Sequence, residues 1–278
     1  MSTGPVRPDA TLPAMDAPTM LQVTRHGDDG HVVEVALDRP ASMNAVSTDF
    51  SREITATMTA LSADEDVRAV VVTSTSPRAF CVGADLKERN GFTDAQMMDH
   101  RLVTRKAYRA VLDLPMPAVA AVEGFALGGG MEIALSCDLV VAGTEATVGL
   151  PEVGVGVVPG GGGTQLVTRR VGWSRAASMI FTGRRMTAKE AHRLGVLDEL
   201  VEAGTARDRA LEIAAQIAGN SPVAVRNAKR AMRLGMGVDL AAGLEIEDGA
   251  WRATAFSGDR KEGVAAFAEK RAPRWPGR

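Results

Sequence analysis

Runs of strand-forming residues alternate with stretches of helical spacing through the first part of the chain, and this alternation limits the possible folds more than any other feature. Residues 21–24 and 31–37 read as two strands joined by a short turn, since Val32, Val33, Val35 and Leu37 crowd one run. Ser47 can cap a helix over residues 47–61, where Phe50, Ile54, Met58 and Leu61 recur at helical spacing. Residues 67–73 (VRAVVVT) then form a buried strand. The order of strand, glycine turn and helix returns with residues 79–82, Gly83 and a helix over 93–112. It returns again with residues 118–122, Gly124 and a helix from Gly129, before a further strand at 138–142. Such an order predicts an α/β fold with parallel strands.

Beyond about residue 164 the pattern turns helical, with segments at 164–171, 174–181, 188–194, 206–219, 222–234, 239–256 and 260–270. Thr187 and Glu190 have the spacing of a capping box, and Ser221-Pro222 puts proline at a first helical position. The division expected is a leader at residues 1–19, a core at 20–205 and a helical region at 206–278. The leader holds four prolines and lacks the basic start and apolar centre of a signal peptide, so it is read as disordered.

Composition removes several functions. With 32 basic against 34 acidic side chains, nothing draws the whole molecule to nucleic acid or an anionic membrane. No apolar run approaches the roughly 20 residues of a membrane helix. Two cysteines, Cys81 and Cys137, and four histidines lie outside any metal-binding spacing, so no metal is expected and a reducing, cytoplasmic setting fits best.

Three glycine-containing segments remain: FCVGADLKE at 80–88, EGFALGGGMEIALSCD at 123–138 and VGLPEVGVGVVPGGGGTQ at 148–165. None contains G-x-x-x-x-G-K-[ST] or G-x-G-x-x-G, which sets aside the usual phosphate loops. Gly128-Gly129-Gly130 precedes an apolar helical stretch, so its N–H groups stand at a helix N-terminus that favours negative charge. Glu132 follows one turn on, and two readings stand, a dipole partner or a catalytic base. Glu152, in LPEV, is either a loop carboxylate facing water or an acid whose pKa apolar neighbours raise.

These segments resemble the signatures of the crotonase, or enoyl-CoA hydratase/isomerase, superfamily. FTGRRMTAKEAHRLGVLDELV and DRKEGVAAFAEKRAPRWPGR are similar to its later blocks, and the likeness runs in order from about Leu21 to the last residue. The resemblance implies a spiral of β-β-α units followed by a helical C-terminal oligomerisation region that builds trimers or hexamers. It implies an oxyanion hole from the N–H groups of Ala84 and Gly129, and catalysis by Glu132 and Glu152, whose separation (152 − 132 = 20) is that of hydratases. On this reading Glu132 stays ionised and activates water, Glu152 is protonated and delivers hydrogen, and the two titrate as a coupled pair. The acyl-CoA substrate would meet Ala41, Met43, Asp85, Leu86, Lys87 and Gly160, with Lys270 reaching the phosphates of a neighbouring subunit's CoA. No separate cofactor is implied, because coenzyme A is part of the substrate.

Within the family the rivals are a Δ3,Δ2-enoyl-CoA isomerase and a carnitinyl-CoA-type dehydratase. Outside it, two carboxylates could serve glycoside hydrolysis, but sugar sites lean on aromatic platforms and aromatics make up only 4% of this chain. A binding protein without activity is the remaining alternative, since fold does not fix function.

Overall fold

The structure is a computed structural model that describes residues 19–278, so the leader expected at 1–19 lies, but for its last residue, outside the described residues. In chain order the first half contains β1 (Leu21–His26), β2 (Val32–Leu37), α1 (Thr48–Ala63), β3 (Ala69–Ser74), β4 (Ala79–Cys81), α2 (Leu86–Arg89) and α3 (Asp94–Leu112). Then come β5 (Ala118–Val122), β6 (Phe125–Leu127), α4 (Gly129–Ser136), β7 (Leu139–Gly143), β8 (Thr147–Gly149), α5 (Gly163–Val171), α6 (Trp173–Thr182), β9 (Arg185–Thr187) and α7 (Ala188–Leu194). The chain closes with β10 (Glu199–Val201), α8 (Ala206–Ala218), α9 (Pro222–Gly235), α10 (Leu240–Ala255) and α11 (Gly258–Glu269). Among the described residues no helix is long and apolar enough to cross a membrane.

Six strands form one sheet in the order β1-β2-β3-β5-β7-β10, parallel except for the β1–β2 hairpin. A second sheet, β4-β6-β8-β9, holds short strands. Each pair β3–β4, β5–β6 and β7–β8 turns a corner from the large sheet to the small one before the chain goes helical. This is the expected spiral of β-β-α units. Alternate residues of the large sheet face opposite ways: Val70, Val72, Ala120 and Val140 enter the main core, whereas Val71, Val119, Ala121 and Val141 pack against α8.

That second contact shifts the expected boundary at residue 206. Ala206, Ala210, Ala214 and Ala218 recur every four residues, giving α8 a smooth face that lies close against the sheet. Helix α8 therefore stays with the core, and α9 to α11 form the helical appendage. Two other expectations change. The region after residue 164 also supplies β9 and β10, and Thr187 caps α7 without a reciprocal box, because the Glu190 carboxylate pairs with Arg184 at 2.7 Å.

Asp138 fastens the appendage to the sheets. Its carboxylate accepts from Ala118 N–H at 2.8 Å, from buried Lys229 at 2.7 Å and from Arg233 at 2.8 Å, and the Lys229 ammonium also donates to the Met116 carbonyl. Removing one side of a buried pair leaves the other charge uncompensated, so Asp138→Ala should destabilise the fold by about 3–5 kcal/mol. A urea titration checks this. A loss below about 1 kcal/mol, the range of an exposed pair, would mean that the contact is not buried in solution.

Candidate active site

Gly83 brings two distant segments together. It adopts φ +89, and a Cβ there would lie 2.8 Å from the Leu127 carbonyl oxygen and 2.9 Å from the Gly129 nitrogen. Only glycine allows both the conformation and the approach. The next residue, Ala84, forms an isolated bridge with Val46: Val46 N–H donates to Gly83 and Asp85 N–H donates to Val46. That pattern leaves the Ala84 N–H without a backbone acceptor. Gly129 opens α4, where an N–H also lacks an intrahelical partner. The fold thus sets the two expected oxyanion donors side by side.

The loop at residues 39–45 holds this arrangement from below. Met43 and Asn44 both take left-handed conformations, φ 51 and φ 56, which a non-glycine residue adopts only when held there. Buried Asn44 does the holding: its Oδ1 accepts from Arg39 N–H, and its Nδ2 donates to Ser74 Oγ and the Phe80 carbonyl. Arg39 in turn bonds the Ala45 carbonyl and pairs with Asp85 at 3.4 Å. Asp85 also caps α2. Its carboxylate is therefore engaged within the fold, and only its backbone remains for the substrate contact expected of it. Ala41, Leu86 and Lys87 are exposed and Met43 is half-buried.

Glu132 lies in α4, all of whose residues are buried. Its Oε1 accepts from Gly161 N–H at 2.6 Å and from Gly163 N–H at 2.8 Å. These donors belong to the start of α5. The glutamate is thus held by the N-terminus of a second helix and not by the dipole of its own, a relation spanning about 30 residues that no local pattern reveals. Burial pushes its pKa up, and the Gly163 and Gly161 N–H groups pull it back.

Glu152 begins a 3-10 turn, Glu152–Val155, beside Gly128. Both its carboxyl oxygens are buried without a hydrogen-bond partner among the described residues. Burial, reinforced by the negative charge of Glu132, pushes its pKa to about 7. The raised pKa expected for Glu152 is present. Glu132 is raised as well, where its place in a first helical turn suggested stabilised charge, because desolvation outweighs the helix terminus.

Tyr108 was not anticipated. A Cβ at Gly129 would collide with its hydroxyl, and its ring packs over Gly161. Glycine at 129 therefore makes room for this phenol. Burial pushes the phenol pKa well above its ordinary value. The available signal was Tyr108 sharing the buried stripe of α3 with His100, Thr104 and Val111.

Gly160 and Lys270 were also expected to meet the substrate. The Gly160 carbonyl accepts from Arg101 at 2.6 Å, so its neighbours Gly161 and Gly163 are the glycines that touch a catalytic candidate. Lys270 follows α11 as an exposed left-handed cap, and α11 packs on α9 and α10, so the contact expected of Lys270, to a CoA held by a neighbouring subunit, involves a second chain. Burial pushes both thiols up to about 12, which removes them as nucleophiles at neutral pH.

A sequence profile described as enoyl-CoA hydratase/isomerase matches residues 27–278. The chain is 38% identical over 243 residues to the short-chain-enoyl-CoA hydratase of Clostridium acetobutylicum, covering 87% of this chain and 93% of the relative. It is likewise 38% identical over 250 residues to the mitochondrial methylglutaconyl-CoA hydratase of Homo sapiens, covering 88% of this chain and 74% of the relative. Among solved structures, an enoyl-CoA hydratase from Bacillus anthracis superposes with a TM-score of 0.90 at 38% identity, covering 94% of this chain and all of the other.

Proposed function

The chain belongs to the enoyl-CoA hydratase/isomerase family, and on that footing we propose that it is a hydro-lyase adding water across the double bond of a trans-2-enoyl-CoA. The observation that carries this reading is the unlike state of the two glutamates, one gripped by backbone N–H groups and the other buried without a partner. An isomerase needs one group to shuttle a proton, whereas hydration needs a base for water and an acid for carbon.

The thioester carbonyl accepts the N–H groups of Ala84 and Gly129. Glu132 takes a proton from water as its oxygen bonds to the β-carbon. Electrons move to the thioester oxygen, and the two donors stabilise the enolate, a donor of this kind being worth about 10²–10³ in rate. Glu152 then gives its proton to the α-carbon, yielding a 3-hydroxyacyl-CoA. Passing the water-derived proton from Glu132 to Glu152 resets the pair. Coenzyme A arrives with the substrate, its pantetheine running past Met43, Leu86 and Lys87. The relatives' names cover plain and carboxylated acyl groups, so the acyl class stays open at this point.

Loss of the conjugated-thioester absorbance on adding crotonyl-CoA tests the reading, and an unchanged spectrum at high protein concentration would refute it. The assembly follows from the appendage: Met232, Met236, Leu240, Leu244, Trp251 and Phe256 are large, apolar and exposed on α9 and α10 and beside them. A surface of that kind calls for a partner. A homotrimer or a dimer of trimers is expected in light scattering at micromolar concentration; a monomer would contradict it.

A further inference from the structure

Helix α2 begins two residues after the oxyanion donor Ala84, yet none of its residues is buried. No apolar core holds it in place. Polar links do so instead: Asp85 at its cap pairs with Arg39, the Glu88 carboxylate accepts from Thr48 N–H at 2.9 Å, and Arg89 Nε–H donates to His100 Nε2 at 3.2 Å. The first two reach back to residues 39 and 48, and the third reaches α3.

The Arg89 Nε–H can only donate, so His100 Nε2 must accept and the ring proton sits on Nδ1. Nδ1–H then donates to Thr48 Oγ1 at 2.9 Å. The ring is buried and packs on Phe92 at 5.2 Å between centroids, and burial, with Arg89 beside it, holds its pKa down in keeping with this neutral form. Both ring nitrogens are thus committed, one to α1 and one to α2. Roughly two turns further along the same buried face, about 12 Å of helix, Tyr108 sets its hydroxyl against Gly129, the second oxyanion donor. Helix α3 therefore meets the segments of both donors, at His100 for Ala84 and at Tyr108 for Gly129.

We propose that His100 is a positioning residue for the oxyanion hole: as a neutral clasp between Thr48 and Arg89 it fixes α2, and with it the Ala84 N–H, at a set distance from Gly129. This rests on the oxyanion reading above. The effect passes along bonds already in place, since Val46, two residues before Thr48, donates its N–H to the Gly83 carbonyl at 2.7 Å and accepts from Asp85 N–H at 3.1 Å. Movement at either end of the clasp shifts Ala84. A displacement of about 1 Å caused by a residue remote from the chemistry can cost about 10²-fold in rate.

Acetoacetyl-CoA probes that hole, because its α-carbon is acidic and its enolate absorbs in the near ultraviolet far more strongly than its keto form. The enolate-to-keto ratio of the bound thioester, with protein in excess, reads the two donors, and partial loss of folded protein cancels from it. In His100→Leu, which keeps the volume and loses both bonds, the ratio should fall about 10-fold, less than the roughly 10²–10³-fold of removing a donor outright. The kcat for crotonyl-CoA should fall with it while KM changes less. His100→Gln, whose amide oxygen can still accept from Arg89, and Thr48→Val, which cuts only the Nδ1 bond, should each show a smaller fall, and they carry the test if His100→Leu does not fold. A wild-type ratio in every variant that folds would overturn the proposal. So would a loss confined to KM with the ratio intact, the mark of a residue that only packs. A wild type that binds the thioester and shows no enolate would overturn the oxyanion reading itself.

Discussion

Replacing Glu152 by glutamine is expected to lower kcat for crotonyl-CoA hydration by about 10²–10⁴-fold, the contribution of a positioned general acid. Glutamine keeps the shape of the side chain and removes the proton that must reach carbon. Glu132→Gln should lose a similar factor, since its amide oxygen can still accept from Gly161 or Gly163 but cannot take a proton from water. The double variant should be far less than multiplicatively worse, because the two groups serve one reaction. Steady-state kinetics on the three variants decides this. An enzyme that tolerates Glu132→Gln and fails only on Glu152→Gln would be an isomerase.

The same pair fixes a pH dependence. Hydration needs Glu152 protonated and Glu132 ionised, so the rate should fall as pH rises through about 7 and fall again on the acid side as Glu132 takes up a proton. Stability follows the Glu152 shift. Its folded pKa lies above the ordinary 4.5, so its contribution is fully present below 4.5 and is lost as pH rises through about 7. Glu152→Gln should therefore outlast the wild type on the alkaline side, with the difference vanishing in acid.

Gly83→Ala is the second large effect. The added methyl would meet the Leu127 carbonyl at 2.8 Å and the Gly129 nitrogen at 2.9 Å from a φ of +89. Backbone on both sides must move, which drives the Ala84 and Gly129 donors apart. The expected result is a loss of about 10²-fold or more in kcat/KM, as when one oxyanion donor is removed. Circular dichroism and a urea titration separate this from unfolding. Near-normal turnover would mean that these N–H groups do not bind the reacting oxygen. Gly129→Val is less clean, because the new side chain would also displace Tyr108.

What was legible in the sequence was mostly local. Helix α1 announces itself through the Ser47 cap and the Phe50–Ile54–Met58–Leu61 spacing, and β3 and β5 through continuous apolar runs. The strands β6, β8, β9 and β10 span three residues each, too few for any period to show. Glu132 and Glu152 stand out through the glycine-rich segments around them and their likeness to known signatures. Their environments do not, because Gly161 and Gly163 reach Glu132 across a long stretch of chain and Tyr108 arrives from another helix. Arg89 carries no local signal in the sequence. Only the fold sets it against His100, across eleven residues of chain.

The most direct test of the central claim is to incubate the wild type with crotonyl-CoA in heavy-oxygen water and to weigh the product by mass spectrometry. The account predicts a 3-hydroxyacyl-CoA carrying one labelled oxygen at the β-carbon, with almost none formed by Glu132→Gln in the same interval. Conversion of a 3-enoyl-CoA to its 2-enoyl isomer, with no labelled hydroxyacyl product from crotonyl-CoA, would contradict it.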